Sequence, residues 1–126
     1  MAFMYYNPNP NGISVGDCAV RAMTKALDED WDKAYLELCA EGFLCCDMPT
    51  ANKVWGALLK KKGYTRKGLT NECPECYSVK DFCRTHDRGT YVLALDGHVV
   101  TICDGDYYDS WDSGYGTVLY YWQKGE

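Results

Sequence analysis

Apolar residues follow helical spacing through the first half of the chain and strand-like runs through the second. A first helix is predicted from Asp17, a residue type suited to the N-cap, through Cys18, Val20, Arg21, Ala22 and Ala26. A second follows Asp28-Glu29-Asp30, where Trp31, Ala34, Tyr35 and Leu38 recur at i, i+3, i+4 and i+7 and so share one face. A third carries Val54, Trp55, Leu58 and Leu59, with Thr50 as its cap and Gly63 as its stop. Lys60-Lys61-Lys62 suit the negative end of that helix's dipole, so the run reads as a helix terminus rather than a nucleic-acid patch. A short fourth helix is expected over 78–86, because Ser78 and Asp81 have the spacing of a capping box and Val79, Phe82 and Cys83 share a face.

Past that point β-branched and aromatic residues take over. Runs over 90–95, 98–103, 106–111 and 117–122, split by Gly and Asp, predict four strands. Asp104-Gly105 is a strong two-residue hairpin signal between the second and third of these. Residues 1–16, punctuated by Asn7-Pro8-Asn9-Pro10-Asn11-Gly12, read as loop. Helices followed by an antiparallel sheet of about four strands define an α+β fold, and 126 residues fit a single domain over 1–126.

Composition narrows the function classes. With 47% hydrophobic and 25% charged residues the chain is an ordinary globular one, not disordered, collagen-like or coiled coil. A net charge of −5 sets the average field against nucleic acid, and no apolar run approaches the roughly 20 residues of a membrane span. Neither partner is therefore expected. The sequence around Met1 shows no secretory signal, which points to the cytoplasm.

Eight cysteines change the picture most. A reducing compartment and the adjacency of Cys45 and Cys46 argue against a disulfide framework. Cys73, Cys76, Cys83 and His86 spell C-x2-C-x6-C-x2-H, residue types that hold zinc tetrahedrally. Against a metal, Cys83 also fits as a core residue of the short helix and His86 as its solvated end. A zinc-stabilised or non-catalytic interaction domain stays open on that basis, while the leading reading needs no metal or cofactor.

Cys18 is different, since a thiol in the first turn of a helix is biased toward thiolate. A thiolate nucleophile needs a base, and the chain has two histidines. His86 falls at a helix end. His98 opens a strand that can hold its ring, and is the better candidate. The imidazole in turn needs an orienting group. If Asp104 and Gly105 are the loop residues, Cys103 faces Asp106, Ile102 faces Tyr107, Val100 faces Asp109 and His98 faces Trp111. Asp109 is then the diagonal neighbour of His98, roughly 7–8 Å away between backbones. A three-residue loop would reverse the parity and select Asp112. Trp111 would shield the His98–Asp109 bond, and Arg21 would pair with Asp17 or another acid.

A cysteine at a helix start, a histidine at a later strand start and a polar residue on the next strand resemble the papain-like cysteine peptidase superfamily. Tyr107-Tyr108-Asp109-Ser110-Trp111 is similar to that family's Asn-Ser-Trp segment, with Asp in place of Asn. Asp17-Cys18-Ala19 and Gly97-His98-Val99 resemble its small bacterial and phage branches, which include bacteriocin-leader peptidases and cell-wall endopeptidases. The resemblance implies a papain-like fold and a Cys18–His98–Asp109 triad acting through an acyl-thioester on a peptide or protein substrate. A same-fold amidase or acyltransferase would keep the same three residues. The family's Gln six residues before the nucleophile is Gly12 here, so Asn11, the nearest amide, is the candidate oxyanion donor beside the Cys18 backbone N–H.

Overall fold

The computed structural model describes residues 2–69 and 77–125. Its order is β1 (Phe3–Tyr5), α1 (Cys18–Leu27), α2 (Trp31–Cys45), α3 (Asn52–Lys61), β2 (Tyr64–Gly68), α4 (Val79–Thr85), β3 (Thr90–Leu95), β4 (His98–Cys103), β5 (Asp106–Asp109) and β6 (Tyr120–Lys124). The α+β expectation is met, with four helices and one mixed sheet among the described residues. That sheet has six strands, not about four, in the order β1-β5-β4-β3-β6-β2.

Both additional strands lie at the edges. β1 falls inside the segment read as loop and runs parallel to β5, with Phe3, Met4 and Tyr5 opposite Tyr107, Tyr108 and Asp109. β2 pairs antiparallel with β6. Apart from buried Tyr64, its residues are exposed, so no alternation of apolar residues marks it as a strand. Its partner stabilises it, and the partner is distant in sequence.

The central meander follows its local signals closely. Asp104 and Gly105 both have positive φ, 50° and 82°, as a two-residue type I′ loop requires. The ladder then reads Cys103–Asp106, Ile102–Tyr107 and Thr101–Tyr108. β5 stops at Asp109 rather than at Trp111. The fourth predicted run is displaced, since β6 occupies Tyr120–Lys124 and Thr117 forms only an isolated bridge with Ser78.

The helices also obey local rules, with two departures. Ser78 and Asp81 form the expected capping box on α4. Asp30 caps α2 by accepting from the Lys33 N–H at 2.9 Å. On α3 the cap position belongs to Ala51, not Thr50, and carries no side-chain bond. Asp17 occupies the cap position of α1 but makes no capping bond, because its carboxylate is engaged elsewhere.

Alternation along β3 and β4 feeds two cores. Val92, Ala94 and Val99 pack with Met23, Leu38, Val54, Trp55 and Leu59 of α1–α3. Leu93, Val100 and Ile102 pack with Val79, Phe82 and Cys83 of α4. The buried Thr101 hydroxyl donates to the Ala22 carbonyl at 2.7 Å, which ties α1 to β4. No helix among the described residues is long and apolar enough to cross a membrane.

Candidate active site

Three elements end at one place. Cys18 is the first residue of α1, His98 the first of β4 and Asp109 the last of β5. The two-residue turn fixes the register that brings the last two together. His98 Nε2 donates to Asp109 Oδ2 at 2.6 Å. The Cys18 thiol interacts with the His98 side chain and with the backbone of Val99. With Nε2 committed to Asp109, Nδ1 is the ring nitrogen left for the thiol.

The electrostatics favour an ion pair. Burial pushes the Cys18 thiol up, but the hydrogen bond and charge of His98, the Val99 backbone and the Arg21 charge outweigh it, so its pKa is lowered. Burial likewise opposes charge on His98. Hydrogen bonds to Asp109 and Cys18 win, and raise its pKa to about 9. Near neutral pH the imidazole is therefore protonated and the thiol is biased toward thiolate.

Asp109 is fully buried and both its oxygens are occupied. Oδ2 accepts from His98 and from the Ser113 hydroxyl, each at 2.6 Å. Oδ1 accepts from the Ser110 N–H at 2.8 Å and pairs with Arg21 Nη2 at 3.0 Å. Burial raises its pKa, but these donors more than compensate and keep it ionised below the usual aspartate range. Arg21, itself buried, turns its other nitrogen to Asp17 Oδ1 at 2.7 Å. Asp17 Oδ2 in turn accepts from the Trp31 indole at 2.9 Å. A continuous buried chain thus runs from α2 through α1 to the imidazole.

Asp112, the alternative orienting group, is directed elsewhere. It accepts from the Tyr107 hydroxyl and from the Gly114 N–H. Trp111 lies over the histidine, with ring centroids 4.8 Å apart, although its own outer face is exposed. His86 is remote from this chemistry: it stacks on Phe82 at 3.8 Å and bonds Thr85. Cys83 is a core thiol whose pKa burial raises to about 11. Cys73 and Cys76 lie outside the described residues, and no cluster of metal-ligating side chains occurs among those described.

A cleft of about 350 Å³ opens over Cys18, lined by Ser14–Gly16 ahead of the helix and by Gly97, Ser110 and Trp111 on the strand side. Asn11 does not line it. The asparagines instead build a turn: Asn9 Oδ1 accepts from the Asn11 N–H at 2.8 Å, Asn7 Oδ1 from the Asn9 N–H at 3.2 Å. The Cys18 N–H lies in the first turn of α1, where backbone N–H groups have no intrahelical acceptor. Ser113, the Trp31 indole and the second Arg21 contact were not foreseen, because no local spacing marks a residue that reaches another element's carboxylate.

Compared with protein-family models, with curated proteins and with solved structures, the chain matches none.

Proposed function

We propose that the protein is a papain-like cysteine peptidase or amide hydrolase of the small bacterial or phage type. The observation that carries this reading is the His98 Nε2–Asp109 Oδ2 bond of 2.6 Å behind an imidazole that also engages a thiol of lowered pKa. The Cys18 thiolate attacks the substrate carbonyl carbon, and the resulting oxyanion is met by the Cys18 N–H. His98 passes its proton to the amide nitrogen as the carbon–nitrogen bond breaks, leaving an acyl-thioester and a free amine. The now neutral His98 removes a proton from water, which attacks the thioester. Collapse releases a carboxylic acid and restores the thiolate–imidazolium pair. An amine replacing that water would give acyl transfer by the same residues. The substrate is a peptide or protein, and the thiolate requires a reducing compartment such as the cytoplasm.

The test is a fluorogenic peptide library with wild type and Cys18→Ala, together with mass-spectrometric mapping of iodoacetamide adducts at pH 6. The expected result is cleavage that Cys18→Ala abolishes and an adduct concentrated on Cys18. Uniform labelling of the exposed thiols, with no cleavage by wild type, overturns the reading.

A further inference from the structure

The three lysines that close α3 have different surroundings. Lys61 Nζ pairs with Glu41 at 2.8 Å, and Lys62 Nζ with Glu37 at 2.8 Å and Glu29 at 3.7 Å. Lys60 has no carboxylate partner among the described residues, and neither do Lys53, two turns earlier on the same face of α3, whose ammonium donates only to the Cys45 carbonyl at 3.4 Å, or Arg66 on β2. These three cations, none neutralised by a carboxylate, line one groove of about 470 Å³, between α3 and the β2–β6 ribbon. No acidic side chain lines it, in a chain whose net charge is −5.

The rest of the lining is aromatic and fixed in place. Arg66 and Trp122 are direct cross-strand partners, so they stand on one face of the ribbon, with Tyr120 two residues from Trp122. The Arg66 guanidinium lies 4.0 Å from the centre of the Tyr120 ring, which stacks against Trp55. Gly56 lets α3 come down onto the indole, for a Cβ there would stand 3.0 Å from Trp122 Cζ2. The Trp122 N–H has no acceptor among the described residues.

We propose that this groove binds a nucleotide: a flat ring against the Trp122 side, with its phosphates held by Lys53, Lys60 and Arg66. Clustered cations with low-dielectric walls attract an anion, and the guanidinium fork suits phosphate oxygens. A tryptophan face accepts a base by stacking, and the Tyr120 ring beneath Arg66 holds the guanidinium in place beside it. The carboxylates of an acidic peptide would answer the charges but leave the Trp122 indole without a partner. None of the groove residues lines the cleft over Cys18, so the site stands apart from the hydrolase reading.

Calorimetric titration of the full chain in Cys18→Ser form with ADP, adenosine, pyrophosphate, polyglutamate and a short single-stranded oligonucleotide tests the proposal. ADP is expected to bind saturably and about tenfold tighter than either adenosine or pyrophosphate, a combined ring and phosphate contribution. Lys60→Gln and Arg66→Gln, both at exposed positions, should each weaken ADP by about fivefold to tenfold, whereas Lys61→Gln leaves it unchanged. Circular dichroism melting of each variant separates lost binding from lost folding. Absence of ADP binding at millimolar concentration, pyrophosphate or polyglutamate binding as tightly as ADP, a strand that binds where ADP does not, or an equal loss in Lys61→Gln overturns it.

Discussion

Arg21 Nη2 reaches Asp109 Oδ1 at 3.0 Å while His98 Nε2 bonds Oδ2, so this buried carboxylate is held between a guanidinium and an imidazole. The same guanidinium binds Asp17, one residue before Cys18. One buried cation therefore joins the start of the nucleophile's helix to the end of the strand that carries the carboxylate. Arg21 is a positioning residue. It fixes Asp109 Oδ1 so that Oδ2 is presented to His98.

Arg21→Met should destabilise the protein by roughly 3–5 kcal/mol, because it strands two buried carboxylates without their cation. Asp17→Asn combined with Arg21→Met removes one of those charges and should recover part of the loss in urea denaturation. A purely structural role would leave the remaining folded protein with its normal thiol titration. The contacts instead predict that the pH profile of Cys18 alkylation moves upward in the double variant, since the Arg21 charge helps to lower that pKa. Arg21→Lys keeps the charge but not the two-pronged fork, and should fall between the two.

Asp109 and Asp112 make a second contrast. Asp109→Ala removes the acceptor of His98 Nε2, and peptide cleavage should fall by about 10²-fold or more. Asp112→Ala removes the acceptor of Tyr107 and Gly114, which ties down a surface loop. Its effect should appear as a small loss of stability with cleavage nearly intact. The opposite ranking in kcat would mean that the carboxylate on the other face orients the histidine.

The split between what was legible in the sequence and what was not follows the range of the interactions. Cys18 and His98 sit at element starts that helix capping and strand alternation mark locally. Asp109 followed from one more fact, the two-residue geometry of Asp104-Gly105, whose positive φ angles set the parity of the hairpin. β1 and β2 escaped because each is short, at an edge, and stabilised by a strand far away in the chain. Thr50 failed as a cap although its chemistry suits one, since the chain enters α3 through extended Ala51. Asp17 sits where a cap belongs, yet its oxygens serve Arg21 and Trp31. Tertiary ion pairing displaced the local bond.

The thiols should separate by reactivity. At pH 6 iodoacetamide should modify Cys18 well ahead of Cys46, which is exposed but has no imidazole partner in its contacts. Cys83 should react last, being buried with a pKa pushed up to about 11. His98→Gln should remove the advantage of Cys18 by withdrawing both the hydrogen bond and the charge. Equal rates for Cys18 and Cys46 in wild type would exclude an activated thiolate.

Stability against pH provides a separate test, with a sign that depends on whether the thiol is present. The folded pKa of His98, about 9, lies above its ordinary 6.5, so its contribution is complete below pH 6.5 and is lost as pH rises through the folded value. Cys18 has a lowered folded pKa, so its contribution grows in the alkaline direction. Above about pH 6.5 folding takes up a proton at His98, and above the lowered Cys18 value it releases one from the thiol, so the two slopes oppose each other. The pH dependence of wild-type stability from this pair should therefore be shallower than that of the imidazole alone. Cys18→Ser removes one side of the balance while Asp109 still supports the imidazolium. Its denaturation midpoint should decline as pH rises above 6.5, over a narrower span than the wild-type imidazole value allows because the Cys18 contribution is gone, and the added substitution His98→Gln should abolish the decline. A flat profile in Cys18→Ser would mean that His98 titrates near its ordinary value and that Asp109 does not hold its charge.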